Sequence, residues 1–203
     1  MRGMIRKSMF QKPLFRDLGV CIDLETMGVS ADAVVLSIAA VAFDTKKISS
    51  ELELRSHSFV VNCTEASNFA LQRTFDQSTV DWWASQSNEA KMALQEPEPI
   101  HVVQAVKAFD TWVRSLPQRV CSVWANSPSF DHVILQHLYK QAGLRWPFSY
   151  HIERDCRTLK NICGAGLEFF TFQPKHSALS DVLSEVAMIQ LLLQNLREHQ
   201  IAC

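Results

Sequence analysis

The stretch Gly19-Val20-Cys21-Ile22-Asp23-Leu24-Glu25 has the period of a β-strand. Val20, Ile22 and Leu24 point to one side, and Cys21, Asp23 and Glu25 to the other. The two acids therefore share a face, with Cα atoms about 6.6 Å apart. A strand this apolar belongs inside a sheet, where an unpaired carboxylate is costly. The plain alternative is a partly exposed strand end with two solvated acids, and the pair alone does not decide between the two.

Working outward, Ala33 to Phe43 is an eleven-residue apolar run broken at Ser37, which predicts a central strand. Leu52 to Val61 alternates roughly and predicts a third strand, so that strands one to three pair antiparallel. Ser78-Thr79-Val80-Asp81 resembles a capping signal for a helix carrying Trp82 and Trp83. Adjacent helical residues face about 100° apart, so at most one of these indoles is deeply buried. Apolar residues at 102, 105, 106, 109, 112 and 113 give a helical stripe from about Ile100 to Ser115. Val120 to Ala125 predicts a fourth strand. Ser127-Pro128 reads as an N-cap with proline at the first helical position, opening a helix that runs to about Gly143. Ile152 to Asp155 predicts a fifth strand followed by a short helix, and a last helix starts near Ser177. This order predicts an α/β fold: a mixed five-stranded sheet with helices on both faces, its last two strands parallel to strand one.

With 203 residues, 47% of them hydrophobic and a net charge of −1, the chain is a globular domain and neither disordered nor collagen-like. No apolar run approaches the ~20 residues of a membrane span, and the basic N-terminus lacks the apolar core of a signal peptide. A cytoplasmic protein without membrane partners is expected. Six scattered cysteines without zinc spacing read as reduced thiols. Residues 1–16 hold five basic groups and no acid, a basic and mobile extension. Residues 17–203, taken as the functional domain, carry 15 basic and 21 acidic groups, a net −6. Such a body does not coat nucleic acid through phosphate contacts alone. If it handles phosphates, bound divalent cations are the source of positive charge.

Two further acids stand in unusual places. Asp131 shares a helical stripe with Leu135, Leu138 and Ala142, although an acid in a first turn is also commonplace. Asp181 lies early in the last helix, five residues after His176. Positions five apart in a helix diverge by about 140°, so the two converge only if His176 precedes the helix and Ser177 caps it. Together these residues form D-x-E on a first strand (Asp23, Glu25), Asn126-x3-Phe130-Asp131 after a later strand, and His176-x4-Asp181 opening the last helix. This set resembles the DEDDh branch of the DnaQ-like 3′→5′ exonucleases, which have an RNase H-like fold. The resemblance covers about residues 17 to 195. Three residues stand between Asn126 and Phe130, where many members have two. That spacing, with Trp124-Ala125-Asn126, Thr79-Val80-Asp81-Trp82-Trp83 and Arg154-Asp155-Cys156-Arg157-Thr158-Leu159, is similar to a narrower group containing T-even phage exonuclease A and the mycobacterial-type exoribonuclease domain.

The resemblance implies a two-metal 3′→5′ exonuclease acting on single-stranded DNA or RNA 3′ ends and releasing nucleoside 5′-monophosphates. Asp23, Glu25, Asp131 and Asp181 then hold two Mg²⁺ or Mn²⁺ ions, with Asp23 between them, and His176 is the general base. Thr26, Met27 and Phe130 meet the terminal nucleotide, and activity rises from acidic toward mildly alkaline pH. The alternative is a catalytically silent nucleic-acid or protein-binding module on the same fold. A homodimer is left open, several relatives being dimers, as is the choice between DNA and RNA. Residues 140–175 carry six basic groups against three acids, a local surplus suited to a few phosphates or to an ordinary solvated face.

Overall fold

The computed structural model describes residues 15–164 and 166–199. Five strands, β1 (Leu18–Thr26), β2 (Val35–Asp44), β3 (Ser58–Asn62), β4 (Ser122–Ala125) and β5 (Glu153–Asp155), form one sheet in the order β3-β2-β1-β4-β5. β1 pairs antiparallel with β2 and β2 antiparallel with β3. β1 is parallel to β4, and β4 to β5. This is the expected RNase H-like mixed sheet, and β1 lies at its centre.

The pleat of β1 sorts two cores. Val20, Ile22 and Leu24 pack with residues of α5 (Val102–Ser115) and α6 (Asp131–Gln141), including Phe109, Ile134 and Leu138. On the opposite face Cys21, with Ala39, Val41 and Phe43 of β2, meets Cys156 of α7 (Cys156–Cys163) and Val182, Val186 and Ile189 of α8 (Ala178–His199). Both faces of the sheet are thus covered by helices. Each fully buried Ile or Leu in these layers contributes roughly 1.5–3 kcal/mol by leaving water. Phe15 is buried and Arg16 N–H donates to Asp44 at 2.8 Å, so the last two residues of the basic N-terminal stretch belong to the body. The rest of that stretch lies outside the described residues, as does Cys203. The other five cysteines are free thiols, and no helix among the described residues is long and apolar enough to cross a membrane.

Three local expectations are corrected. The third strand does not begin at Leu52: residues Glu51–Ser56 form helix α1, and β3 starts at Ser58. The Ser50 hydroxyl caps this turn by accepting from Glu53 N–H, and Arg55 pairs with Glu51 at 2.7 Å. Leu54 alone goes inward, while Leu52 is 80% exposed. The helix carrying the two tryptophans, α3 (Gln77–Ser85), starts before the expected cap and is flanked by Asp76, whose carboxylate accepts from Val29 N–H at 2.9 Å instead of capping it. It is preceded by α2 (Glu65–Ala70) and followed by α4 (Asn88–Ala93). α6 begins at Asp131 rather than at Pro128, because Ser127 to Phe130 close a turn in which the Ser127 carbonyl accepts from Phe130 N–H and Asp131 N–H. The stop at Gly143 holds: its φ is +69°, and Leu144 N–H returns to the Tyr139 carbonyl at 2.9 Å, the left-handed helix ending that favours glycine.

Candidate active site

The parallel ladder between β1 and β4 ends at Cys21 and Trp124. Beyond it the two strands part, and Leu24 N–H is taken not by β4 but by Asp131 Oδ1, at 3.2 Å. Asp131 is the first residue of α6, 3% exposed, and this bond plugs it into the gap beside β1. Crevices beyond the carboxyl ends of parallel strands, where the topology changes direction, are the usual ligand sites of such sheets. Asp23 and Glu25 rise into the same gap from β1. Asp181, in the first turn of α8, completes the group: one carboxylate oxygen each from Asp23, Glu25 and Asp181 lies within 4.8 Å of the others. A cavity of about 370 Å³ opens over Asp23, Asn126, Ser127, Phe130, Asp131 and Arg157.

His176 stands outside the helix, as convergence with Asp181 requires. Its φ of +59° turns the chain, and its backbone N–H donates to Asp181 Oδ2 at 3.0 Å. Asp181 N–H in turn reaches the Ser177 carbonyl at 2.9 Å, which places Ser177 at the helix start. The imidazole meets Trp82 edge-on, with ring centroids 4.8 Å apart. It also lines a second hollow of about 550 Å³ with Gln86, Ser87, Gln173 and Lys175. Of the tryptophans, Trp83 is 8% exposed and Trp82 40%, as their angular separation requires. The Trp83 indole N–H donates to the Thr26 carbonyl at 2.9 Å, so α3 clamps the end of the central strand.

The acids interact strongly. Burial holds the Asp23 carboxyl well above the ordinary carboxylate range, and repulsion from Glu185, Asp131, Glu25 and Asp181 adds to it. Glu25 is pushed up to about 8 by burial and then by Asp181 and Asp131. Asp131 rises to about 7 through burial, against the pull of the backbone N–H groups of Leu24 and its own turn. Asp181 is raised by burial, with His176 opposing. Without a cation, burial and mutual repulsion outweigh the partial compensation from backbone N–H groups, His176 and Arg157, and ionisation of the group is disfavoured. Several buried, mutually repelling carboxylates offering oxygen donors at short range fit a hard divalent cation, not a thiophilic one.

Other expected contacts are placed more loosely. Thr26 is buried and its hydroxyl donates to the Gly28 carbonyl at 2.7 Å. Met27 packs against the small cluster of Val34, Leu36, Trp83 and Ala90. Phe130 is half-buried, packed on the core, and lines the cavity over Asp23. Arg157, exposed in the first turn of α7, brings a guanidinium to the same cavity and draws down the acidity ranges of Asp131 and Glu185.

One acid escaped the sequence reading. Glu185 lies one helical turn after Asp181, is pushed up to about 8 by burial and then by Asp131, and is the strongest repelling neighbour of Asp23. The signal that exposes Asp131, an acid on an inward helix face, was present here too: positions 181 and 185 are i and i+4 neighbours.

The exodeoxyribonuclease of Enterobacteria phage T4 is 27% identical over 158 residues, which are 75% of this chain and 63% of that relative. The chain thus spans less than two thirds of that relative's length. Among solved structures, E. coli exonuclease I in complex with a dT13 oligonucleotide superposes with a TM-score of 0.65 at 12% identity, over 92% of this chain and 43% of that one. Cell-death related nuclease 4 (CRN-4) superposes with a TM-score of 0.58 at 17% identity, over 88% of this chain and 64% of that one. At such identities the structures speak for a shared nuclease fold. The family model described as the 3′-5′ exoribonuclease Rv2179c-like domain matches residues 19–193. A sheet with acids at its parting strands, and a match of that extent, lead to one conclusion: the chain belongs to the Rv2179c-like 3′-5′ exoribonuclease domain family.

Proposed function

We propose that the chain is a metal-dependent 3′→5′ exonuclease that removes nucleoside 5′-monophosphates, one at a time, from single-stranded nucleic acid. The observation that carries this is the convergence of Asp23, Glu25 and Asp181 oxygens within 4.8 Å, with Asp131 held against the same strand. Asp23, Glu25, Asp131 and Asp181 would hold two Mg²⁺ or Mn²⁺ ions. Ions so held polarise a phosphodiester and make a bound water acidic.

The chain's own residues do the remaining work. His176 is the general base: its ring nitrogen takes the proton of the attacking water, whose oxygen bonds to phosphorus while the 3′-oxygen of the preceding nucleotide leaves. Its backbone N–H bond to Asp181 keeps the residue next to the acids, and its ring packs edge-on against Trp82. Arg157, at the mouth of the cavity, suits a non-bridging phosphate oxygen. Thr26, Met27 and Phe130 are assigned to the terminal nucleotide, a reading supported for Phe130 by its place in the cavity lining. With a body of net −6, the grip on upstream phosphates is short, and digestion is distributive.

Relatives differ in the sugar they are named for: the family is described as exoribonucleases, and the phage relative as an exodeoxyribonuclease. The exonuclease I complexes with oligonucleotides support a single-stranded substrate. The test is side-by-side digestion of matched DNA and RNA oligomers, labelled at the 5′ end, with Mg²⁺ or Mn²⁺ and with or without chelator. A ladder shortening from the 3′ end, abolished by chelator and by Asp23→Ala, is expected for one polymer or both. Intact substrate in every lane, or chelator-insensitive cleavage, overturns the assignment.

A further inference from the structure

Beneath the acids lies a second group of ligating side chains that phosphodiester cleavage leaves unused. Cys21 precedes Asp23 by two residues on the same face of β1, Cys156 opens α7, and Glu185 follows Asp181 by one turn of α8. The two sulfurs and a Glu185 oxygen lie within 4.8 Å of one another. Both thiols are fully buried, and Cys21 Sγ–H donates to Glu185 Oε2 at 3.3 Å. A buried cysteine alone is ordinary core packing. Two of them turned toward a half-buried carboxylate are not, because an apolar neighbour would pack there without the cost of desolvating an acid. Among the described residues, Glu185 accepts no hydrogen bond from an N–H or O–H group, and its partner is the weak thiol donor of Cys21.

We propose that Cys21, Cys156 and Glu185 form a binding site for one thiophilic divalent cation of the Zn²⁺ or Cd²⁺ class, separate from the carboxylate cage. Three protein ligands with a fourth position open to water is a familiar zinc arrangement. Thiolate donors separate this site from its neighbour by softness: Mg²⁺ and Mn²⁺ take the oxygens of Asp23, Glu25 and Asp181, and the soft ion takes the sulfurs. On binding, the thiols and the carboxyl release their protons to solvent and the cation replaces them. The bound ion ties β1 to the first turn of α7 and the second turn of α8, elements remote in sequence.

The test uses the reduced, metal-free full chain, excess Mg²⁺ to occupy the carboxylates, and no nucleic acid, so its outcome is independent of the exonuclease assignment. Titration with Co²⁺ as the probe is expected to raise a near-ultraviolet thiolate-to-metal charge-transfer band that saturates at one equivalent and is displaced by Zn²⁺. The band should vanish in Cys156→Ser and Cys21→Ser, with circular dichroism confirming that each variant is folded. Glu185→Gln, which preserves shape, should keep the band and weaken Co²⁺ binding at least tenfold. A folded wild type without the band overturns the site, as does a band that survives both cysteine substitutions. An unchanged affinity in Glu185→Gln overturns it even if the cysteine variants do not fold.

Discussion

An acid facing inward from a helix or a central strand is costly unless its charge is answered; that anomaly alone decided neither the Asp23–Glu25 pair nor Asp131, which became legible only when read together with the His176-x4-Asp181 motif as one family pattern. His176 and Asp181 were legible through a geometric condition, that the histidine precede the helix, and the structure meets it. Glu185 was missed because, of the acids in the last helix, only Asp181 was read, as part of the His176-x4-Asp181 motif, and the surroundings of Glu185 depend on β1 lying against α8. Replacing Asp23 separates chemistry from stability. Asp23→Asn should lower cleavage at least ~10³-fold, consistent with the loss of a cation ligand. It should also relieve repulsion among the buried acids, stabilising the metal-free chain by about 1 kcal/mol, the ordinary scale of a single substitution. Calorimetry in chelator should show a melting temperature raised by ~2–4 °C; a lowered one argues against charge repulsion in the resting site. His176→Ala should cost ~10²–10⁴ in kcat while calorimetric titration of Mn²⁺ into the acids stays unchanged. Arg157→Ala should raise KM for oligonucleotide more than it lowers kcat, and a steady-state split in the opposite sense would remove Arg157 from the phosphate track.

At the scale of elements, strand order and direction were readable because long apolar runs and helix periods survive local error. Boundaries were less so. Glu51-Leu52-Glu53-Leu54-Arg55 alternates like a strand, but Ser50 caps it and Glu51 pairs with Arg55 one turn on, so the same letters make a helix with one inward residue. The turn at Ser127 likewise depends on Asp131 being drawn to Leu24, a tertiary contact that no local pattern contains. Asn68 shows how such contacts hold an element. From α2, its side-chain oxygen accepts from Val35 N–H and its amide donates to the Val35 carbonyl, both at 2.9 Å. It serves as a side-chain partner for the start of β2. Asn68→Ala leaves both buried backbone groups unpaired, which should cost about 2–3 kcal/mol and lower the melting temperature by ~5–10 °C; a change under ~2 °C would show that water replaces the amide at no cost.

Considered whole, the molecule has an acidic body whose centre resists ionisation. Glu25 and Glu185 are raised to about 8 and Asp131 to about 7, all above the ~4 of an exposed carboxyl. Over that window the folded chain binds more protons than the unfolded one, so stability falls as pH rises from about 4 to 8 and levels beyond it. Metal-free protein should therefore melt at a lower temperature at pH 8 than at pH 5, and Mn²⁺ should raise the melting temperature more at pH 8; equal shifts at both values would place the ion elsewhere. The same whole-chain view applies to His176, whose φ is +59°. That backbone shape costs an ordinary residue about 1 kcal/mol or more, and glycine almost nothing. At this position the usual ranking of small residues is reversed, and a glycine substitution leaves a sturdier chain than alanine does. The cleanest way to silence the proposed base while keeping its scaffold is the replacement that protein engineers ordinarily avoid.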